Sequence, residues 1–133
     1  MPESLLYLDA SALVKLVVAE PESEALSKVV GEWTHRITSR ISAVEVARAV
    51  RRDAAPDIIE RAAHVLDAVA FVELTPVIAE LAGALEPPAL RSLDAVHLAS
   101  ALSVAPNVGP FVTYDLRLRD AASEAGLKVQ APA

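Results

Sequence analysis

Leu5-Leu6-Tyr7-Leu8-Asp9-Ala10-Ser11-Ala12-Leu13-Val14-Lys15 decides how the chain is read. Leu5 to Leu8 is a short apolar run without polar alternation, which is the composition of a strand buried on both faces of a parallel sheet. Ser11 to Val18 then reads as a helix. Asp9 comes where the strand would leave the sheet. Ligands of open α/β sheets sit in the crevice beyond the carboxyl ends of the strands, so an acid at this point is well placed for chemistry. It is equally suited to cap the helix that follows. The two readings separate only if other acids reach the same edge.

Outward from that stretch, strand and helix patterns alternate. Pro21 suits the first turn of a second helix, with Glu22 and Glu24 near its positive end. This helix runs to about Trp33, and Thr34 to Thr38 is a short strand. Ser39 to Asp53 reads as a helix in which Ser42 and Glu45 match a capping box and Val44, Ala47 and Val50 form the buried stripe. Pro56 opens a helix carrying Ile58, Ile59, Ala62, Ala63, Leu66 and Val69. Phe71 to Leu74 is a strand, and Thr75-Pro76 starts a helix by a capping residue followed by proline. Pro87-Pro88 ends that helix. Ala89 to Ser103 is apolar on most sides, including Leu93, and is expected to be central. Pro106 to Pro110 reads as a loop, Phe111 to Tyr114 as a strand ending at Asp115, and Leu116 to Ala125 as a helix stopped at Gly126. Lys128 to Gln130 is an edge strand. The alternation predicts an α/β fold of three layers, α/β/α, with a central parallel sheet of four to five short strands. No linker or repeat interrupts it, so residues 1–133 are expected to form a single domain.

The 133 residues include no cysteine, which removes disulfides and thiolate metal sites and suits a reducing, cytoplasmic setting. Hydrophobic residues make up 53%, enough for a core without staples. No signal-peptide pattern and no apolar run of about 20 residues is present, so no membrane association is expected. The formal charge of −6 is unlike the usual footprint of a nucleic-acid binder.

Four acids stand at element junctions. Asp9 and Asp115 each follow an apolar strand, and Glu45 and Asp94 lie near helix starts. Each has a bland alternative: a helix cap for Asp9 and Asp115, the capping box for Glu45, an ion pair with Arg91 or His97 for Asp94. Taken together they suggest one site. Two unit charges about 4 Å apart repel by about 4 kcal/mol at an effective dielectric near 20, and a divalent cation relieves such crowding. Oxygen-only ligands describe Mg²⁺ or Mn²⁺ rather than zinc. Such an ion activates water and stabilises a phosphoryl centre.

The same residues carry a family resemblance. Leu8-Asp9-Ala10-Ser11-Ala12-Leu13-Val14-Lys15, Ser42-Ala43-Val44-Glu45-Val46-Ala47-Arg48-Ala49, Leu90 to Ala101 around Asp94, and Val112-Thr113-Tyr114-Asp115-Leu116-Arg117-Leu118 resemble, in order and spacing, the PIN-domain family and its VapC toxin branch of type II toxin–antitoxin pairs. The resemblance implies a metal-dependent endoribonuclease that hydrolyses RNA phosphodiesters with Mg²⁺ (or Mn²⁺) and is neutralised by a cognate VapB-like antitoxin. Asp9, Glu45, Asp94 and Asp115 would be its catalytic and metal-binding acids, with Ser11 and Thr113 as supporting hydroxyls. Asp9 and Asp94 would be direct ligands, and Asp115 a ligand directly or through water. Glu45 would bind a second ion or orient water as a base. A homodimer is implied as well.

Basic residues answer the charge objection locally. Arg36, Arg40, Arg48, Arg51 and Arg52 fall where Glu45 is the only acid, and Arg91, Arg117 and Arg119 lie near Asp94 and Asp115. Arg48, Arg91 and Arg117 are the candidates for holding RNA phosphates. Two helices, Pro21 to Trp33 and Ile58 to Val69, with Leu13, Leu16 and Val17, would form a groove for an amphipathic antitoxin helix. His35, His64 and His97 have no zinc-site spacing, and His97 reads mainly as a packing residue. The alternative function is a non-catalytic acidic module of the same fold that binds a metal or a peptide.

Overall fold

The computed structural model describes residues 4–52 and 55–133. Its elements are β1 (Leu5–Leu8), α1 (Ala10–Val17), α2 (Ser23–Gly31), β2 (His35–Ser39), α3 (Ile41–Arg51), α4 (Pro56–Asp67), β3 (Ala70–Val72), α5 (Pro76–Ala84), α6 (Ser92–Ser103), β4 (Val108–Val112), α7 (Leu116–Glu124) and β5 (Lys128–Gln130). All strand pairings are parallel, in the order β3-β2-β1-β4-β5. The expected α/β architecture is therefore the observed one, with five strands.

β1 is the centre of the sheet because both its faces are apolar. Leu6 and Leu8 pack into one core with Leu13 and Val17 of α1, Leu26 of α2, Val46 and Val50 of α3 and Ala62 of α4. Tyr7 points the other way, into a core with Ile37, Phe111, Leu98 of α6 and Leu118 of α7. This is the two-residue period of a strand buried on both sides. The chain fills the sheet from β1 through β2 to β3, then crosses back to β4 and β5. The order thus reverses between β1 and β4, and the crevice at their carboxyl ends is the topological switch point.

Several expected boundaries shift. β4 begins at Val108, so it includes Gly109 and Pro110, which read as loop residues in sequence. The register against β1 slips between Leu5–Val108 and Tyr7–Phe111, a bulge that absorbs one extra residue of β4. Gly109 is needed there because a Cβ would lie 2.6 Å from the Trp33 ring. Thr113 and Tyr114 fall just beyond the strand. Pro21 lies in a turn before α2, not in the helix. α6 starts at Ser92, and Leu93 is exposed rather than buried.

The largest correction concerns α3, whose expected end at Asp53 lies outside the described residues. A single residue, Arg40, connects β2 to this helix, so Ser42 is already inside the helix and caps nothing. Its hydroxyl is buried against Thr38 Oγ1 at 2.6 Å. Ser42, Val46 and Val50 form the buried stripe, while Val44 and Ala47 are exposed. The capping-box reading of Glu45 falls with this frame, and its carboxylate is free to act elsewhere.

Candidate active site

Asp9 is 3% exposed and caps α1. Its Oδ1 accepts from the Ala12 amide at 2.9 Å and from the Ser11 hydroxyl at 2.7 Å. Its Oδ2 accepts from the Thr113 hydroxyl at 2.5 Å. The same two hydroxyls are acceptors for backbone: Ser11 Oγ for the Tyr114 amide at 3.0 Å, Thr113 Oγ1 for the Asp115 amide at 3.1 Å. The β1–α1 and β4–α7 junctions are thus stitched through Asp9. Burial pushes the Asp9 carboxyl above its ordinary pKa, and nearby His97, whenever its ring is protonated, and the three donors oppose that rise. Capping uses both lone pairs of Oδ1 and one of Oδ2, which leaves one acceptor site on Oδ2. The cap and ligand readings are therefore compatible.

Asp115 caps α7, its Oδ1 accepting from the Arg117 and Leu118 amides at 2.9 and 3.0 Å. Asp94 stands in the first turn of α6 and accepts no hydrogen bond among the described residues; the ion pair with Arg91 or His97 does not form. Burial raises the Asp94 pKa, and the negative charge of Asp115, then of Asp9 and Glu45, raises it further, with His97 opposing. All four acids therefore share one electrostatic field at the switch-point edge.

Glu45 is held from beneath. His97 Nε2 lies 2.8 Å from Glu45 Oε1, and His97 Nδ1 lies 2.9 Å from the Tyr7 hydroxyl. His97 is 2% exposed and Tyr7 fully buried. Tyr7 stacks on Phe111 with centroids 5.0 Å apart and planes 7° from parallel. Burial pushes the Tyr7 pKa well up, with the charge of Asp9 adding to it, so it remains a phenol. His97 thus contacts a site acid rather than merely packing. Its signal in sequence was Tyr7 itself: a tyrosine in a doubly buried strand needs a polar partner for its hydroxyl.

The structure sorts the arginines. Arg48, Arg51 and Arg52 together line a cavity of 320 Å³. Arg52 also borders a cavity of 420 Å³ shared with Ser11, Lys15, Glu45 and Tyr114, so the two are neighbours. Arg40 is paired with Glu73, and Arg36 donates to the Val30 carbonyl. Arg117 lines a separate cavity with Asp120 and Glu124, a poor setting for phosphate. Arg91 is the exposed residue before α6. Lys15 is engaged by Glu20 and Glu22 and lies over the Tyr114 ring.

Among the described residues, no group of three or more His, Cys, Asp or Glu side chains stands close enough together to hold a metal ion. Like charges repel, and Asp9, Glu45 and Asp115 are each held by their own partners. The donor chemistry, as distinct from the spacing, suits a hard cation. It is all oxygen, and Asp94, Glu45 Oε2 and Asp115 Oδ2 take no hydrogen bond among the described residues. The charge on Asp94 is disfavoured by burial first and by Asp115, Asp9 and Glu45 after it, a cost that a bound cation would offset.

The expected groove between α1, α2 and α4 is narrower than the sequence suggests, because Leu13, Val17 and Leu26 are buried in the core. A cavity of 250 Å³ remains, lined by Leu16, Val30, Val65 and Val69 among others. No helix among the described residues is long and apolar enough to cross a membrane.

A PIN-domain family model matches residues 6–124. Ribonuclease VapC35 of Mycobacterium tuberculosis is 44% identical over 133 aligned positions, covering 96% of this chain and 97% of that protein. Ribonuclease VapC46 of the same species is 41% identical over 129, with the same coverage. Among solved structures, M. tuberculosis VapC20, described as a Sarcin-Ricin loop cleaving toxin, matches with a TM-score of 0.74 at 16% identity, covering 96% of this chain and 99% of that one. VapBC2 from Rickettsia felis, bound to a promoter DNA fragment, matches with a TM-score of 0.75 at 11% identity, covering 97% and 99%. These two similarities speak to the fold alone. The family match and the curated relatives show that the chain belongs to the PIN-domain family, in its VapC branch.

Proposed function

We propose that this chain is a VapC-type toxin, an endoribonuclease that uses Mg²⁺ or Mn²⁺ to hydrolyse RNA phosphodiesters. The observation that supports this reading most is at Asp94, whose pKa is raised by burial and then by the negative charges of Asp115, Asp9 and Glu45, so that the four acids are electrostatically linked. The relatives named ribonucleases support the substrate class. A divalent ion, when bound, would neutralise this cluster and polarise water and the phosphoryl oxygens. Asp9 and Asp94 would hold it, with Asp115 completing the set directly or through water. Asp9 suits this role because three donors fix its carboxylate in place. Glu45 Oε2, unpartnered among the described residues, would orient the attacking water as a base or hold a second ion. Arg48, Arg51 and Arg52 would carry the RNA backbone away from the site.

Incubating the purified chain with RNA and Mg²⁺ or Mn²⁺, with and without chelator, tests this. Cleavage that chelator abolishes is the expected result. Absence of cleavage of any RNA would favour the non-catalytic binding module.

The partner in this reading is a VapB-like antitoxin with an apolar segment on the cavity between α1, α2 and α4 and a basic residue toward the acids. Co-expression with the product of the neighbouring gene should restore growth and solubility. Equal growth with and without it would argue against such a partner. A homodimer through the α5–α6 layer suits the exposed Leu74, Val77 and Leu93, and light scattering on the purified chain measures it.

A further inference from the structure

The contact between Tyr7, His97 and Glu45 joins three elements, β1, α6 and α3, and runs from the stacked core of the sheet to a site acid. Its chemistry is constrained at each end. Glu45, as a carboxylate, can only accept, so the facing His97 Nε2 must carry a proton. In a neutral ring, His97 Nδ1 then has only a lone pair to offer and must receive the Tyr7 proton. Tyr7 is suited to give it: burial holds it as a phenol.

We infer that His97 is the positioning residue for Glu45: Tyr7 locks the imidazole as an Nδ1 acceptor, and its Nε2–H clamps Glu45 Oε1 so that Oε2 alone faces the reaction. The arrangement has the logic of outer-shell histidine contacts, in which one ring nitrogen is set by the bond the other makes. The core provides the stiffness. Tyr7 is stacked on Phe111, and His97 is buried with its ring edge-on to Tyr7. The catalytic part of this inference rests on the endoribonuclease reading above; the tautomer part does not.

Two measurements test it. The first is ¹⁵N NMR of the imidazole in the metal-free protein at mildly alkaline pH. His97 should show a protonated Nε2 and an unprotonated Nδ1, and Tyr7→Phe should release that preference. A proton on Nδ1 in the parent protein overturns the inference. The second is steady-state cleavage of an RNA oligonucleotide by variants whose melting confirms the fold. His97→Leu should lower kcat by about 10–100-fold, the range for outer-shell partners, with KM little changed. His97→Gln, which keeps a donor near the Nε2 position, should recover most of the loss. In a Glu45→Gln background, His97→Leu should cost little more, because the two act as one unit. Full additivity, or failure of His97→Gln to rescue, overturns the inference. A parent protein that cleaves no RNA overturns the functional reading instead, and the imidazole spectrum still decides the clamp.

Discussion

The Thr113 hydroxyl donates to Asp9 Oδ2 at 2.5 Å although the two residues are 104 apart in sequence. It closes the switch point between β1 and β4. Thr113→Val keeps the shape and removes the donor from a buried carboxylate. A loss of about 1–3 kcal/mol is expected, the cost of leaving a buried acceptor unmet. Denaturant unfolding of the metal-free protein measures it, and Thr113→Ser should return most of the stability.

Asp9→Asn should abolish RNA cleavage while keeping the fold. The amide oxygen still accepts from Ala12 and Ser11, and the amide nitrogen donates to Thr113 Oγ1, which rotates to accept. A fall in kcat of more than about 100-fold is expected, as for loss of a group acting on the transition state. Undiminished cleavage with the same metal would remove Asp9 from the mechanism.

Asp94 titrates above the ordinary aspartate value because of burial and its three acidic neighbours. Between the ordinary and the raised value the folded chain keeps a proton that the unfolded chain has released. This favours the fold at low pH, and the benefit is lost as pH rises through the raised value. Asp94→Asn should accordingly melt higher than the parent at neutral pH without metal, by about 2–4 °C for a domain of this size. The difference should close as pH falls below the ordinary aspartate range. Added Mn²⁺ should raise the melting temperature of the parent more than that of the variant.

Arg48, Arg51 and Arg52 share one cavity, whereas Arg117 shares its cavity with two acids. Each phosphate contact to single-stranded RNA adds about 0.7 to the slope of log affinity against log salt. Alanine at Arg48, Arg51 or Arg52 should flatten the slope by up to that amount, measured by fluorescence anisotropy with chelator present. Arg117→Ala should leave it unchanged.

Gly109→Ala would place a Cβ 2.6 Å from the ring of Trp33, the only tryptophan in the chain. Overpacking of this kind costs about 1–3 kcal/mol. Trp33 fluorescence reports it directly: its emission should shift in the folded variant, with a lower unfolding midpoint.

The parts of the fold that were legible in sequence are those set by local chemistry. Leu5–Leu8 ends at Asp9 in sequence and in structure, and Thr75-Pro76 starts α5 through the Thr75 cap as its residue types require. Gly126, at φ 93, stops α7 for the same kind of reason. The misread places involve a choice that local chemistry leaves open. Ser42 and Glu45 have the spacing of a capping box, yet the one-residue connection from β2 puts both inside α3, and burial against Thr38 outweighs capping. Gly109-Pro110 has turn composition, yet the approach of Trp33 and pairing with β1 make it strand.

The sequence by itself determined the alternation of strands and helices and which acids stand at their junctions, because hydrophobic period, caps and proline act within a few residues. Only the tertiary structure decided what those acids touch. It joined Asp9 to Thr113, turned His97 from packing residue to the support of Glu45, and divided the arginines between an open basic cavity and an acidic one. These contacts depend on strand order and helix rotation. Both are settled by packing across the whole sheet, where a side chain's partner lies far away in sequence.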